Sequence, residues 1–449
     1  MTATSLRTPC SDPGKTMSVP RIILCGAIVA ALAVLVEPAL GQQPLAQQRP
    51  DSSLIFSGEV RTRAEYDRPG SGLGGDGVTL LRSRFGADAR LAGGARMFVQ
   101  IQDSRVFGEK GTTSGSADQL DLHQGYLELN GKWEGRGVGL RAGRQEIALG
   151  NERLVGAVGW TNTGRSFDGA RVDLTAEGAT WHATALAATL AEHGRRSPAR
   201  VGDDPARDDE TLLGLAINRG TFEALLVHDR GVHFRVFDQL RRTTGYVRYR
   251  TPSAAGFVMD LEGAYQTGSQ RRLPTGGSGS ATDQDIGAWF AGARVNRPAD
   301  SSLPASLTLG VDWLSGDSDP ADGNYGAFNT LYATNHKWYG IMDLFLDPAA
   351  RTGDRGLVDA TAGAAMTLSP RVALRADVHH FRTAAAGAGA VDRALGWEGD
   401  LTMPVRVSQA ASIELGYALF RPGAGGQALG LGDEGVLRHW GYLQLRVGF

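Results

Sequence analysis

Between Gly143 and Arg171 the chain reads GRQEIALGNERLVGAVGWTNTGRSFDGAR, setting Arg144, Arg153, Arg165 and Arg171 among Glu146, Glu152 and Asp168. Upstream, Arg61 and Arg63, then Arg82 and Arg84, stand two apart, and Arg141 sits in the alternating run VGLRA. A guanidinium keeps its charge in a protein, and its planar fork fits a carboxylate. A series of such groups suits reversible binding of an anion rather than bond making, because conduction needs contacts weak enough to release. The same arginines have a plainer use, which is to pair with Glu59, Glu65, Asp88, Glu128, Glu146 and Asp168 and stiffen a wall. Both uses stay open on sequence alone.

The elements that hold these residues are strands. From Ile55 the chain settles into segments of about ten residues that alternate apolar and polar, separated by turn chemistry, as a transmembrane barrel requires. In Phe56 to Tyr66 one face is Phe56, Gly58, Val60, Thr62, Ala64 and Tyr66, and the other is Ser57, Glu59, Arg61, Arg63 and Glu65. Leu81, Phe85 and Ala87 likewise oppose Arg82, Arg84 and Asp88, and Met97, Val99 and Ile101 oppose Arg96, Gln100 and Gln102. Successive strand side chains point to opposite faces, so one face meets water and the other something dry. Tight turns at Ala92-Gly93-Gly94 and Ser369-Pro370 contrast with long polar loops at 191–210 and 270–285. The count of such segments is about 18, within a range of 16–20.

Composition narrows the class. The chain has 449 residues, a formal net charge of -2 and 62 glycines. A nearly neutral chain gives no whole-molecule field for nucleic acid. Mean hydropathy is -0.20, too low for a helical membrane protein. Arg21, the apolar run Ile22 to Val36 and the small residues around Pro38-Ala39-Leu40-Gly41 read as a signal peptide. Residues 1–41 are therefore expected to be removed, residues 42–53 to form a short periplasmic lead, and residues 54–449 to form one barrel domain. Cys10 and Cys25 fall in the removed part, which leaves no thiol chemistry. With no other long apolar run, a membrane location demands a closed sheet.

The GRQ strand, the NER-LVG loop and the N-T-R-x-FDG-x-R strand of this central stretch resemble the alginate export family of outer-membrane proteins. The resemblance recurs at Gly316-Asp317-Ser318-Asp319-Pro320-Ala321-Asp322-Gly323, at Phe328 to Phe345, at Leu374 to Phe381 and at Leu415 to Gly423, and so covers Leu54 to Phe449. It implies a basic lumen that carries alginate, with Arg61 or Arg63, Arg82, His123 and Arg144 on the basic lining and Asp168 as an acidic member. His123 departs from a permanent cation, being mostly neutral near pH 7. The final strand, HWGYLQLRVGF, ends on Phe449 and resembles the signal by which barrel assembly machinery recognises its clients.

Other chemistries fit less well. His379 and His380 are adjacent and point to opposite faces, which spoils a two-histidine metal site. Ser166 lacks a Gly-x-Ser-x-Gly setting, and no phosphate-binding glycine motif occurs. Asp317, Asp319 and Asp322 form a weak calcium candidate whose spacing departs from the EF-hand loop, and a solvated turn is the stronger reading. Trp160, Tyr246, Trp289, Trp313, Trp338, Trp397, Trp440 and Tyr442 read as interface girdles, with sugar stacking the lesser alternative.

The expectation is an all-β, antiparallel transmembrane barrel in the bacterial outer membrane, a monomer with lipid around it and no cofactor. It is expected to pass an anionic polysaccharide or carboxylate solute passively. The substrate path is assigned to Arg61, Arg63, Arg82, Arg84, His123, Arg141, Arg144, Arg153, Arg165, Asp168 and Arg171. An organic-acid porin is the alternative within transport, and a barrel enzyme of lipase or protease type is the alternative outside it.

Overall fold

A computed structural model describes residues 53–68, 76–108, 118–176, 181–190, 210–233, 237–272, 281–386 and 392–449. The expected signal segment, nearly all of the lead and most of the two polar loops at 191–210 and 270–285 lie outside the described residues.

Among the described residues nineteen strands form one sheet. Thirteen come first: β1 (Ser53–Arg68), β2 (Asp76–Arg90), β3 (Ala95–Phe107), β4 (Asp118–Trp133), β5 (Arg136–Gln145), β6 (Phe167–Ala176), β7 (Trp181–Leu190), β8 (Thr211–Arg219), β9 (Phe222–His233), β10 (Phe237–Arg250), β11 (Val258–Arg272), β12 (Thr282–Arg297) and β13 (Ala305–Leu314). The two-residue β14 (Asn324–Tyr325) lies within a loop, and β15 (Leu357–Ser369), β16 (Val372–Arg382), β17 (Ala394–Arg406), β18 (Ala411–Pro422) and β19 (Arg438–Gly448) complete the wall. Setting β14 aside, eighteen antiparallel strands close the barrel, and β1 pairs with β19 from Glu59↔Gly448 to Arg68↔His439. Closure leaves no strand edge unpaired, the condition for sheet structure in hydrocarbon.

The alternation read from sequence is the alternation of faces. Val60, Phe85, Leu127, Leu215, Leu309 and Leu443 are exposed on the outer wall. Arg61, Arg63, Arg82, Asp88 and Gln102 are buried on the inner one. At one end the turns are tight: Glu134 and Gly135 connect β4 to β5 with φ 47 and 74, a pair of left-handed residues that matches strand twist in a two-residue hairpin. This is the periplasmic end by the usual asymmetry of outer-membrane barrels.

Two long connections from the opposite end, residues 146–166 between β5 and β6 and residues 315–356 between β13 and β15, fold into the barrel. They meet there through Tyr332 N to Leu154 O at 2.8 Å, Gly156 N to Tyr332 O at 2.8 Å and Thr334 N to Glu152 O at 3.1 Å. Ile147, Leu154, Val155, Phe328 and Phe345 of these loops pack with Leu186, Leu212, Val227, Tyr246 and Phe290 of the wall in one buried apolar cluster. The wet interior expected from sequence is therefore replaced, along β7 to β13, by a dry core. The physical reason is that β8 and β9 are apolar on both faces: Leu213, Leu215 and Ile217 are exposed outside while Leu212, Leu225 and Val227 are buried inside.

Candidate functional site

The charged side of the lumen lies on β1 to β6, where loop 146–166 lies against it. Arg61 donates to Gly159 O and Thr161 O, both at 2.8 Å. Arg63 donates to Trp160 O at 2.8 Å and to Glu65 at 2.6 Å. Arg82 donates to Gly159 O at 3.0 Å, Thr161 O at 3.1 Å and Glu59 at 2.7 Å. Three guanidiniums thus grip three consecutive backbone carbonyls, with two carboxylates nearby. Arg61 has no carboxylate in ion-pair range among the described residues, and its direct partners are neutral carbonyls. Trp160 hangs below this grip, with Arg63 at 3.7 Å over one ring, His336 stacked at 3.9 Å and its Nε1 donating to Asp343 at 2.8 Å.

Arg84 donates to Gln102 at 2.6 Å and Glu146 at 3.1 Å. The backbone at Gly164 has φ 73, and a Cβ there would meet Arg84 at 2.8 Å and His123 at 3.2 Å, so glycine is what lets the loop pass the arginine. His123 Nε2 lies 2.7 Å from Glu146, and Ser166 Oγ lies 3.3 Å from His123 Nδ1. Together these resemble a serine, histidine and acid relay. Ser166 and His123 are fully buried, however, and the serine hydroxyl donates to the His123 carbonyl at 2.6 Å. A nucleophile must reach its substrate, so the trio reads as a packing knot beneath the loop.

The other expected path residues divide into three places. Arg141 and Arg171 face the lumen nearer the periplasmic end, directly opposite each other in register. Each holds a carboxylate, Glu128 at 2.5 Å and Asp173 at 2.6 Å respectively. Arg153 and Arg165 are loop staples. Arg153 joins Glu262 of β11 at 2.8 Å and Asp312 of β13 at 2.7 Å under Trp338, while Arg165 donates to Tyr332 O at 2.5 Å. Burial pulls the Arg165 pKa down to about 10, which still leaves it charged at neutral pH.

Arg144 and Asp168 pair with each other at 2.8 Å, but on the outer wall. Arg144 continues the outward cross-strand row Phe56, Ala87, Val99 and Gly125, and Asp168 leads on to Thr189, Thr211 and Arg230. Strands tilt in a barrel, so a row perpendicular to them climbs across the membrane. The switch from apolar to polar residues marks where this row leaves the hydrocarbon, and Arg144 and Asp168 stand at the external rim rather than on the lumen lining.

Of the aromatic residues, Trp289, Trp313 and Trp397 are exposed outside, as girdle positions should be. Trp160, Tyr246, Trp440 and Tyr442 face inward instead. Asp317, Asp319 and Asp322 each cap their own loop, accepting from the amides of Asp319, Ala321 and Asn324, and burial raises the Asp317 carboxyl. Among the described residues no three His, Cys, Asp or Glu side chains converge to hold a metal.

Sequence reasoning missed the carboxylates that catch the second loop. Glu398 accepts from Met342 N at 2.9 Å and Asp400 from Ile341 N at 3.2 Å. It also missed the basic residues at the periplasmic mouth, Arg371, Arg406 and Arg446. Once His379, Glu398 and Trp440 are seen to face inward, strand parity puts all three inside.

The barrel resembles solved outer-membrane proteins of Pseudomonas aeruginosa at low identity. OccK1 (OpdK) is 12% identical, with 88% of this chain and 98% of that chain covered at a TM-score of 0.55. OccK2 (OpdF) in complex with glucuronate is 10% identical, with 89% and 96% covered at 0.56, and OpdK with vanillate is 11% identical, with 88% and 98% covered at 0.55. No curated protein sequence matches the chain. The family model for alginate export matches residues 52–429. With a closed barrel banded by apolar residues and a charged inner wall, the molecule is a channel of the bacterial outer membrane, and the chain belongs to the alginate export family.

Proposed function

We propose that the channel passes an anionic polysaccharide of the alginate type, driven by its gradient alone, along the β1 to β6 side of the lumen. The observation that carries this reading is a set of arginines facing arginines. Arg61 stands opposite Arg82, Arg90 opposite Arg96 and Arg141 opposite Arg171, all on inward positions. Like charges directly opposed destabilise a sheet, so stability alone favours other residues there. Arg61 and Arg82 spend their forks on the loop carbonyls, whereas Arg90 with Arg96 and Arg141 with Arg171 stay open to a passing carboxylate, which accepts from two forks at once and gives the arrangement a use. The family name and the glucuronate held by OccK2 both favour a uronate as the repeating unit. Arg141 and Arg171 line the path, Arg61, Arg63, Arg82 and Arg84 lend it positive potential from beneath the loop, and His123 lies behind them. Arg153 and Arg165 act through the loops, and Arg144 and Asp168 at the external rim. The working unit is a monomer surrounded by lipid, with Phe449 as the handle for barrel assembly.

A channel for small organic acids would use the same arginines. Oligomer block separates the two. In planar bilayers a uronate oligomer is expected to interrupt the current for times that lengthen with chain length, whereas a neutral oligomer of equal length is not. Interruptions independent of charge and length would leave only the small-acid reading, and turnover of a lipid or polymer would favour an enzyme.

A further inference from the structure

The periplasmic mouth holds a second basic site, outside the β1 to β6 path. A vestibule of about 610 Å³ opens between the lower ends of β15 to β19, lined by Arg371, Arg406, Ser412, Glu414, Gln444 and Arg446. That volume lies within the range of ligand pockets, roughly 300–1,000 Å³.

Arg371 and Arg406 adjoin across the strand pair, since Val372 is the register partner of Val405 and Arg406 N donates to Arg371 O at 2.7 Å. Both are exposed, and among the described residues neither guanidinium has an ion-pair partner. Of the acids nearby, Glu59 and Asp377 are held by other arginines and Glu414 keeps its charge. Glu414 accepts the Tyr442 hydroxyl at 2.6 Å, and Glu59 lies between Arg82 at 2.7 Å and Arg446 at 2.6 Å. Asp377, on the next inward turn of β16, takes Arg375 at 2.5 Å. Against the one charge of Glu414, Arg371 and Arg406 leave this concave mouth net positive, where field lines concentrate and anions gather. The Ser412 hydroxyl and the Gln444 amide beside them offer neutral hydrogen bonds, which suit sugar hydroxyls.

We propose that Arg371 and Arg406 form a loading site that captures a carboxylated sugar chain from the periplasm before it meets the infolded loops above. This rests on the anionic-polysaccharide reading and adds direction to it. The site accelerates capture from the turn side alone, because the external face reaches the lumen through the infolded loops. A protein docked on the same rim would use the same charges, but it would leave the capture of free oligomer unchanged.

The test is one-sided block of the reconstituted full barrel by a trimer of mannuronate, with insertion orientation read from a biotin at Ser302→Cys. With trimer on the turn side, Arg371→Gln plus Arg406→Gln is expected to lower the blocking on-rate about tenfold, the lower end of electrostatic steering. Block from the loop side should not change, nor should conductance in about 1 M salt, where the mouth charges are screened, which also shows that the variant folds. The double lysine variant should recover most of the lost on-rate. An unchanged turn-side on-rate in the glutamine variant would overturn the loading site and leave the channel reading intact. Absence of block from either side in the unaltered protein would sink both.

Discussion

Arg82 has two jobs, since one edge of its guanidinium holds Glu59 and another holds the carbonyls of Gly159 and Thr161. Reversing its charge places a carboxylate beside Glu59 and those carbonyls, so Arg82→Glu should move the reversal potential in a salt gradient toward cations. Arg144→Glu should leave that potential where it was, because its side chain stands at the outer rim with Asp168. Equal shifts in the two variants would contradict an inward Arg82 and an outward Arg144. That difference was legible in the sequence. Arg141 and Arg144 are three apart, as are Asp168 and Arg171, and an unbroken strand cannot send both members of such a pair inward. Strand parity fixed Arg61, Arg63, Arg82 and Arg84 correctly for the same reason. The partners of these arginines were not legible, because backbone carbonyls leave no mark on residue type.

At the scale of elements, turns and close approaches set the register of β4 to β6. Gly143 has φ 128, and a Cβ on it would fall 2.3 Å from Gly125 O and 2.8 Å from Tyr126 Cα. Gly143→Ala should therefore cost about 1–3 kcal/mol of strain and displacement, read as a lower denaturant midpoint for the folded band on unheated gels. In the β12 to β13 turn, Asp300 accepts from the Ser302 hydroxyl and from the amides of Ser302 and Leu303. These bonds, with the hydroxyl first, hold its carboxyl down to about 2. A carboxyl lowered in the folded state stabilises above its unfolded pKa, and the effect is lost as pH falls through the folded one. Amide protection at Leu303 should accordingly persist from neutral pH to about 4 and decline toward pH 2, whereas Asp300→Ala should remove it throughout. The strands were readable from their period of two. The infolding of loops 146–166 and 315–356 was not, because it depends on β8 and β9 having a second apolar face that a two-face barrel pattern does not anticipate.

For the whole molecule, the loops decide how much of the lumen is open, and Arg153 links both loops to the wall. Removing it leaves Glu262 and Asp312 buried with Arg294 as their one remaining cation among the described residues, and the Tyr246 hydroxyl on Glu262. Breaking a buried pair in this way costs about 3–5 kcal/mol. Arg153→Ala should therefore loosen the loops and raise single-channel conductance with added noise, while a conductance identical to the unaltered channel would show that the staple is dispensable. At the other end Phe449 lies over Gly58, where a Cβ would meet its ring at 2.2 Å, and closes the β1 to β19 seam through Gly58 N to Phe449 O at 3.1 Å. An anion path along the arginines of β1 to β6 would set the sign of the channel's charge selectivity. Its most direct measurement is the reversal potential of the reconstituted channel in a potassium chloride gradient at low salt. A potential of the sign that reports chloride selectivity is expected; a cation-selective or unselective channel would contradict the anion path.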